Sequence, residues 1–459
     1  MASITCFGGV GEIGGNKFLI EDRKTRVFLD FGEAFGLLED YFVEWLAPRG
    51  RFGLRDYFAL DLMPRTKGLY NREALGATDL PYSEAEFDAV FITHAHFDHT
   101  EHLQYLHPGI PIYMGETCKA ILESTMETSS AFFFTEEEIR HRDGTVTEAN
   151  TIRTFRTGDS IKVDSITVTP VHVDHSVPGA YGFIVETSDG ALAYTGDIRR
   201  HGNKPQLTQD FVDKAREAKP KALLMEGTRV APKETRKNHT EQIVHSESLK
   251  VCKSAASLVL AMRYPKDMDR FRTFYEIAKE TGKTLLISLK TAHLLLTLKG
   301  DKALGLPDPV TDSTIEIYGR EMKRYGKWEK PLLAKSVDSE WVAKNQKSVI
   351  WELPFNQLQE LIDVRPAPGG ACIHSMSEPF AEDPTSQLQD EVLHNWLARF
   401  SMAHHQLHAS GHASQAEIFN LCSEIGPGRV IPVHTEHPEM FKESGAKVEL
   451  ARKGERKSL

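Results

Sequence analysis

The sequence predicts an α/β protein in which a metal-binding domain is interrupted by a second, inserted α/β domain. Three observations carry that reading. The apolar run 88–93 ends in the turn His94-Ala95-His96-Phe97-Asp98-His99, four potential metal ligands in six residues. From about 236 to 366, long helical patterns alternate with short apolar strands, the signature of βαβ units around a parallel sheet. After Pro366-Ala367-Pro368-Gly369-Gly370 the strand-and-loop style returns, and the histidines with it. The expected boundaries are 1–235 and 367–459 for the interrupted domain and 236–366 for the insert.

At 459 residues the chain is long enough for two or three domains with cores of their own. Its 40% hydrophobic and 26% charged residues fit a soluble globular protein. No apolar run approaches 18 residues, and residues 1–7 lack the basic-then-apolar order of a signal peptide. No membrane association is expected. Five scattered cysteines (Cys6, Cys118, Cys252, Cys372 and Cys422) form no C-x-x-C pair, which points to a reducing cytoplasm and away from cysteine as a ligand. Twenty histidines, mostly near 94–107, 172–175 and 394–437, are the compositional anomaly. A net charge of −10 argues against a uniformly basic nucleic-acid binder and leaves room for a basic groove on an acidic body.

Short strands are expected at 4–7, 17–20 and 26–30, joined by glycine-rich or charged turns. The loop Gly9-Val10-Gly11-Glu12-Ile13-Gly14 is formally G-x-G-x-x-G, but a dinucleotide fingerprint requires a helix to follow. Here a strand and a charged hairpin follow, so a tight inter-strand loop is the better reading. Residues 35–85, rich in aromatics, proline and arginine, read as an irregular cover able to line a cleft. Beyond the turn come a helix over 99–107, a strand at 112–114, a long helical region over 116–141 and strands at 151–155, 161–164, 166–174, 181–187 and 191–195. A helix over 205–219 precedes a buried strand, 222–226, that ends in an acid. In the insert, helices are expected at 238–253, 266–282, 289–299 and near 319–345, with strands at 257–261, 284–288 and 315–318. A further strand is expected at 430–433, and the tail 452–457 reads as a solvated end.

The chemistry starts at the turn. His94 and His96, two apart in an extended segment, face the same way, while Asp98 and His99 sit where a helix begins and face a second point. Four ligands aimed at two places suggest two metals. More donors stand at strand ends: His175 after 166–174, Asp197 after 191–195, and His434 after 430–433. A carboxylate can bridge two cations, which nominates Asp197. Taken alone, each of these is more simply a hydrogen-bonded structural residue; only the set is informative.

The set Asp30, His94-x-His96-x-Asp98-His99, His175 and Asp197 resembles that of the metallo-β-lactamase superfamily. Glu226, the run His408-Ala409-Ser410-Gly411-His412-Ala413-Ser414 and Pro432-Val433-His434 are similar to the extra motifs of its β-CASP nucleases, most like the ribonuclease J group. The resemblance implies an αββα sandwich carrying an inserted α/β β-CASP domain. It implies His94, His96 and His175 on one metal, Asp98, His99 and His434 on the other, and Asp197 between them. Asp30 would orient a ligand imidazole from behind. Asp98, Glu226 and His412 would be catalytic, the last two passing a proton to the leaving oxygen. His408, Ser410 and Gly411 would hold a substrate phosphate, the glycine letting backbone N–H groups approach an anion. His102, His107, His172, His404, His405 and His437 match no motif and read as structural or surface residues.

Two Zn2+ ions per chain suit this histidine and carboxylate set, with Mn2+ as the alternative. The implied partner is single-stranded RNA, in a cytoplasmic homodimer that acts as a 5′-to-3′ exonuclease, an endonuclease or both. His434 is typical of the RNA-processing branch and argues against a DNA nuclease. A small-molecule hydrolase on the same site is disfavoured because it needs no second domain to clamp a polymer, and a pseudoenzyme because every ligand position is filled. About 25 residues follow His434, so no extra C-terminal domain is expected.

Overall fold

The computed structural model describes the chain apart from residues 35, 37, 38, 44, 45, 130–132, 135–137, 141–145, 149, 235 and 380–382. It divides into two compact units, one of residues 1–200, 204–235 and 411–459, the other of 201–203 and 236–410.

In the first unit the chain forms β1 (Ser3–Gly8), β2 (Lys17–Asp22), β3 (Thr25–Leu29), β4 (Ala89–Ile92) and β5 (Ile112–Gly115), then the short β6 (Phe133–Phe134), β7 (Glu138–Arg140) and β8 (Val146–Glu148). It continues with β9 (Ile152–Phe155), β10 (Ile161–Val163), β11 (Ile166–His172), β12 (Tyr181–Thr187), β13 (Gly190–Tyr194) and β14 (Ala222–Glu226). The second unit holds β15 (Val259–Arg263), β16 (Thr284–Ser288), β17 (Ile315–Tyr318), β18 (Ser336–Val337), β19 (Val349–Glu352), β20 (Ala371–Ser375) and β21 (Ala403–Gln406). The chain then returns to the first unit for β22 (Val430–Val433) and β23 (Arg456–Ser458).

Two large sheets make the body of the first unit, in the orders β23-β1-β2-β3-β4-β5-β9 and β10-β11-β12-β13-β14-β22, with β6-β7-β8 as a small third sheet. Alternating side chains of β2 send Phe18 and Ile20 into the space between them, where they meet Phe183, Val185, Tyr194 and Leu224 of the second sheet. Phe183 touches both Phe91 and Phe155 across this seam. The second sheet's other face is covered by helices Pro205–Ala218 and Gln415–Ile425 through Phe211, Val212, Ile418 and Leu421. Antiparallel at one side, each sheet becomes parallel where it matters: β3, β4 and β5 run together, as do β13, β14 and β22. All the candidate ligands but His175, which follows the antiparallel β11, lie at the C-terminal ends of these parallel strands, the usual place for a site in such sheets. In the second unit a seven-stranded, wholly parallel sheet, β18-β17-β16-β19-β15-β20-β21, surrounds the fully buried Trp351.

Several expectations need correction. The inserted unit runs to Ser410 rather than 366, because β20 and β21 hydrogen-bond onto β15 and complete its sheet. The tail is no solvated end: β23 pairs antiparallel with β1, and Lys457 bonds Glu449. Helix Glu116–Thr128 stops well short of 141, and its expected extension is replaced by the β6-β7-β8 hairpins, with 130–132, 135–137 and 141 outside the described residues. The expected helix over 99–107 is the single turn Phe97–Thr100 followed by a 3-10 segment, Glu101–Tyr105. The region 319–345 holds only the short helices Lys330–Leu333 and Ser339–Asn345 around β18. Periodicity sees amphipathic character but not where a chain kinks or pairs.

Lys17 is buried and clamps the metal-side loops, its ammonium bonding the carbonyls of Gly15 and Gly32. Burial pulls its pKa down to about 7, against about 10.4 for an unfolded lysine. Between those values the unfolded chain binds more protons, so this group's contribution to stability is complete above about pH 10 and is lost as pH falls to about 7. Denaturant titrations from pH 7 to 10 should therefore show stability rising with pH, and Lys17→Met should flatten that rise. An unchanged slope in the variant would clear Lys17 of the effect.

Candidate metal centre

All four residues of β4 are buried, and the strand leads straight through buried Thr93 and His94 into the turn. His96, in extended backbone geometry, begins helix Phe97–Thr100, which carries Asp98 and His99 on its first turn. Gly14, at φ +79°, lets the β1–β2 loop lie against this helix: a Cβ there would stand 2.7 Å from that of Asp98. The formal G-x-G-x-x-G run is thus the inter-strand loop expected, and it packs on the ligand turn.

Two groups of donors converge, His94, His96, His175 and Asp197 in one, Asp98, His99, Asp197 and His434 in the other, the donor atoms of each lying within 4.8 Å of one another. His175 stands three residues beyond β11 rather than at its end. Asp197 is the shared member. The ring nitrogens of His94, His99, His175, His412 and His434 all lie 3.3–3.9 Å from its oxygens. The Nδ1 of His96 sits 3.0 Å from the Nε2 of His94 and 3.2 Å from that of His175. Nitrogens gathered this closely are placed to share one cation. Asp197 Oδ1 is buried with no hydrogen-bond partner among the described residues. The donor set and this bare oxygen fit divalent cations, and nitrogen plus carboxylate donors suit zinc.

Electrostatics separates the two groups. Burial pushes His94 and His175 well below the ordinary imidazole pKa, leaving them neutral and ready to ligate. Burial acts the same way on His99 and His434, but Asp197, Asp30 and Asp98 outweigh it for His99, which is raised well above its usual value. His434 is pushed up to about 9 by Asp197 and Asp98. Burial would raise Asp98 and Asp197, yet the surrounding imidazoles hold both below the usual carboxylate range.

Behind the ligands stands a second ring of partners. Asp30, fully buried, accepts from His99 Nδ1 at 2.7 Å, from the Tyr194 hydroxyl at 2.7 Å and from the Thr93 amide at 2.8 Å. Both Asp30 (φ +57°) and His434 (φ +53°) occupy left-handed backbone geometry, rare for such residues and characteristic of functional turns. Glu226, the last residue of β14, accepts from His412 Nδ1 at 3.2 Å, from the Ile198 amide and from Thr228. His434 Nδ1 lies 2.8 Å from the same Thr228 hydroxyl, so that hydroxyl links the second donor group to Glu226. Gly411 has a further role that the sequence does not suggest: its carbonyl accepts from His175 Nδ1 at 2.6 Å, and a Cβ there would stand 2.7 Å from Ser176 Oγ. It orients a ligand by close approach.

His408 and Ser410 belong to the second unit. There the buried Arg270 guanidinium bonds Glu241, Ser375 and the Ala409 carbonyl and lies 3.4 Å from His408 Nδ1, while His201 donates to the Ser410 carbonyl at 2.9 Å. Arg270, Glu241, His201, Thr228, Thr93 and Tyr194 were invisible in the sequence, since nothing in their spacing marks them as partners of residues up to 209 positions away. Of the unmatched histidines, His102 is buried against Tyr57, His107 bonds Tyr82, and His172 stacks on Tyr181.

Residues 72–262 match the family model of a beta-lactamase superfamily domain, and 398–448 that of a Zn-dependent metallo-hydrolase RNA specificity domain. The chain is 22% identical to ribonuclease J of Mycoplasma genitalium over 445 residues, covering 95% of this chain and 68% of that one. It is 21% identical to ribonuclease J of Pyrococcus abyssi over 469 residues, covering 97% and 93%. The chain is a β-CASP, ribonuclease J-like protein. Ribonuclease J2 of Bacillus subtilis is likewise 21% identical over 462 residues, 97% of this chain and 72% of that one. A crystal structure of a protein of unknown function from Enterococcus faecalis V583 shares the fold, with TM-score 0.78, 24% identity and full coverage of both chains. No helix among the described residues of this ribonuclease J-like chain is long and apolar enough to cross a membrane.

Because Asp197 belongs to every donor group, Asp197→Ala should strip bound metal from the protein as a whole, read by elemental analysis after dialysis. Asp30→Ala should leave the donors in place but weaken metal binding by about 10–100-fold. Metal affinity equal to the parent's would remove Asp30 from the role of orienting His99.

Proposed function

We propose that the chain is a metal-dependent ribonuclease that hydrolyses phosphodiester bonds of single-stranded RNA, as a 5′-to-3′ exonuclease, an endonuclease or both. The observation that carries this reading is the Glu226–His412 pair set directly against the metal donors, with His412 Nδ1 3.8 Å from Asp197 Oδ2. A bare hydrolytic metal site needs no such pair; cleavage of an ester with a poor leaving group does. The relatives named ribonuclease J and the RNA specificity domain support RNA as the polymer.

Two Zn2+ ions, with Mn2+ as alternative, are assigned to His94, His96, His175 and Asp197 and to Asp98, His99, His434 and Asp197. When bound they would supply Lewis acidity towards a phosphoryl oxygen and lower the pKa of water towards about 7. The chain's residues do the rest. Glu226 accepts the Nδ1 proton of His412 and fixes the ring, so that Nε2 can hand a proton to the departing oxygen. Asp98, held between His434 and His99, orients the attacking water as well as ligating. His408, Ser410 and Gly411 are assigned to a substrate phosphate. A homodimer and a cytoplasmic location belong to the same reading.

Purified protein supplied with Zn2+ or Mn2+ should cleave labelled 5′-monophosphate RNA in preference to DNA of the same sequence. Faster cleavage of the DNA, or hydrolysis of neither alongside turnover of a β-lactam, would replace the reading. His412→Ala should lower kcat by roughly 10²–10⁴-fold with metal content unchanged. Loss of metal in that variant would make His412 a ligand instead.

A further inference from the structure

Residues 49–55 gather three guanidinium groups around one ring. Those of Arg49 and Arg51 lie 4.6 Å, and that of Arg55 5.4 Å, from the centroid of Phe52. Each is drawn in by the ring's π face, yet like charges this close repel one another. Arg49 is neutralised by Asp56, Nη2 to Oδ1 at 2.6 Å. Arg51 and Arg55 are exposed and form no ion pair among the described residues. On a chain of net charge −10, three arginines around one ring, with Asp56 bonded to Arg49, form a local concentration of positive charge.

The platform beneath them is rigid and continuous with the metal turn. Helix Arg55–Ala59 buries Tyr57 and Phe58. Tyr57 packs edge-on against His102, three residues beyond His99, with ring centroids 5.5 Å apart, and Phe58 packs against Tyr70 at 5.6 Å. The pairing of arginine with aromatic ring recurs nearby: Arg65 lies 5.2 Å over Phe58, and Arg72 lies 4.3 Å over Tyr82. A guanidinium held over a ring keeps N–H groups free to grip two oxygens of one phosphate.

We propose that Arg51 and Arg55, braced on Phe52, form a binding site for the backbone phosphates of single-stranded RNA, separate from the catalytic residues. The inference rests on the ribonuclease reading and names the surface that reads the polymer's charge. A phosphate backbone neutralises the clustered arginines and releases its own counterions as it docks. The exposed Tyr41, Val43 and Leu46 lie in the same stretch of chain and would instead suit a protein partner, which is the competing outcome.

The test uses the full chain carrying His412→Ala, which is expected to bind RNA without rapid cleavage, and measures affinity for a labelled single-stranded RNA across a salt series by fluorescence anisotropy. Adding Arg51→Ala with Arg55→Ala should weaken binding about tenfold and reduce the slope of log affinity against log salt by about 1.4, near 0.7 for each lost phosphate contact. Arg51→Lys with Arg55→Lys should restore most of the slope, and the exposed positions should leave the melting temperature unchanged. RNA binding by the parent with the same slope in the alanine variant overturns the inference and leaves the ribonuclease reading standing. A changed oligomeric state with an unchanged slope assigns the surface to a protein contact and also overturns it. Absence of RNA binding and cleavage in the chain without any substitution defeats both.

Discussion

Four carboxylates (Asp30, Asp98, Asp197 and Glu226) are sealed from water around the same strand ends, and the first unit is built around making that tolerable. An isolated buried carboxylate would take up a proton and lose its use as a ligand. Here imidazoles hold Asp98 and Asp197 ionised, and the oxygens of Asp30 and Glu226 are taken up by hydrogen-bond donors. Asp197 has five ring nitrogens about it, and Asp30 has His99, Tyr194 and Thr93. The burial that makes these groups expensive also makes their attraction for a cation strong, because little water screens it.

That constraint explains why the site sits where parallel strands end. The strands β3, β4, β13, β14 and β22 release Asp30, the His94–His99 turn, Asp197, Glu226 and His434 from stiff stems whose last three residues are all buried. Two of these residues, Asp30 and His434, take left-handed backbone geometry at about 1–3 kcal/mol each. Hydrogen bonds from the Asp30 amide to Phe91 and from the His434 amide to Gly9 hold them there. A looser loop would relax the strain and lose the convergence of donors.

The leading turn is legible in the sequence because its ligands are neighbours and follow an unmistakable buried strand. His175, Asp197 and His434 become legible only together, since a single histidine or aspartate near a strand end carries little information. The supporting partners are not legible at all. Thr228 links Glu226 to His434 across 206 positions, and Gly411 acts through a carbonyl that any residue possesses. Gly411 also carries a constraint its motif does not reveal: a Cβ there would crowd Ser176 and His175. The inserted unit's late end at Ser410 was hidden for a related reason. Strands β20 and β21 join their sheet by backbone hydrogen bonds, which leave no mark in side-chain chemistry.

Charge balance at the centre bears on how a polyanion would be drawn in. Two divalent cations would bring four positive charges to four carboxylates, so the loaded centre would be close to neutral over any distance beyond a Debye length of about 8 Å. The chain as a whole, those four carboxylates included, carries a net charge of −10, so what surrounds the centre is still acidic. A centre of that kind stabilises a phosphoryl group once in contact but does little to gather one from solution. Capture then has to come from positive charge elsewhere, and arginine stacked on an aromatic ring provides it without a buried carboxylate to offset it. The separation has a chemical advantage. Groups that attract the polymer can be weak and salt-sensitive, while those that cleave it stay buried, preorganised and largely insensitive to salt.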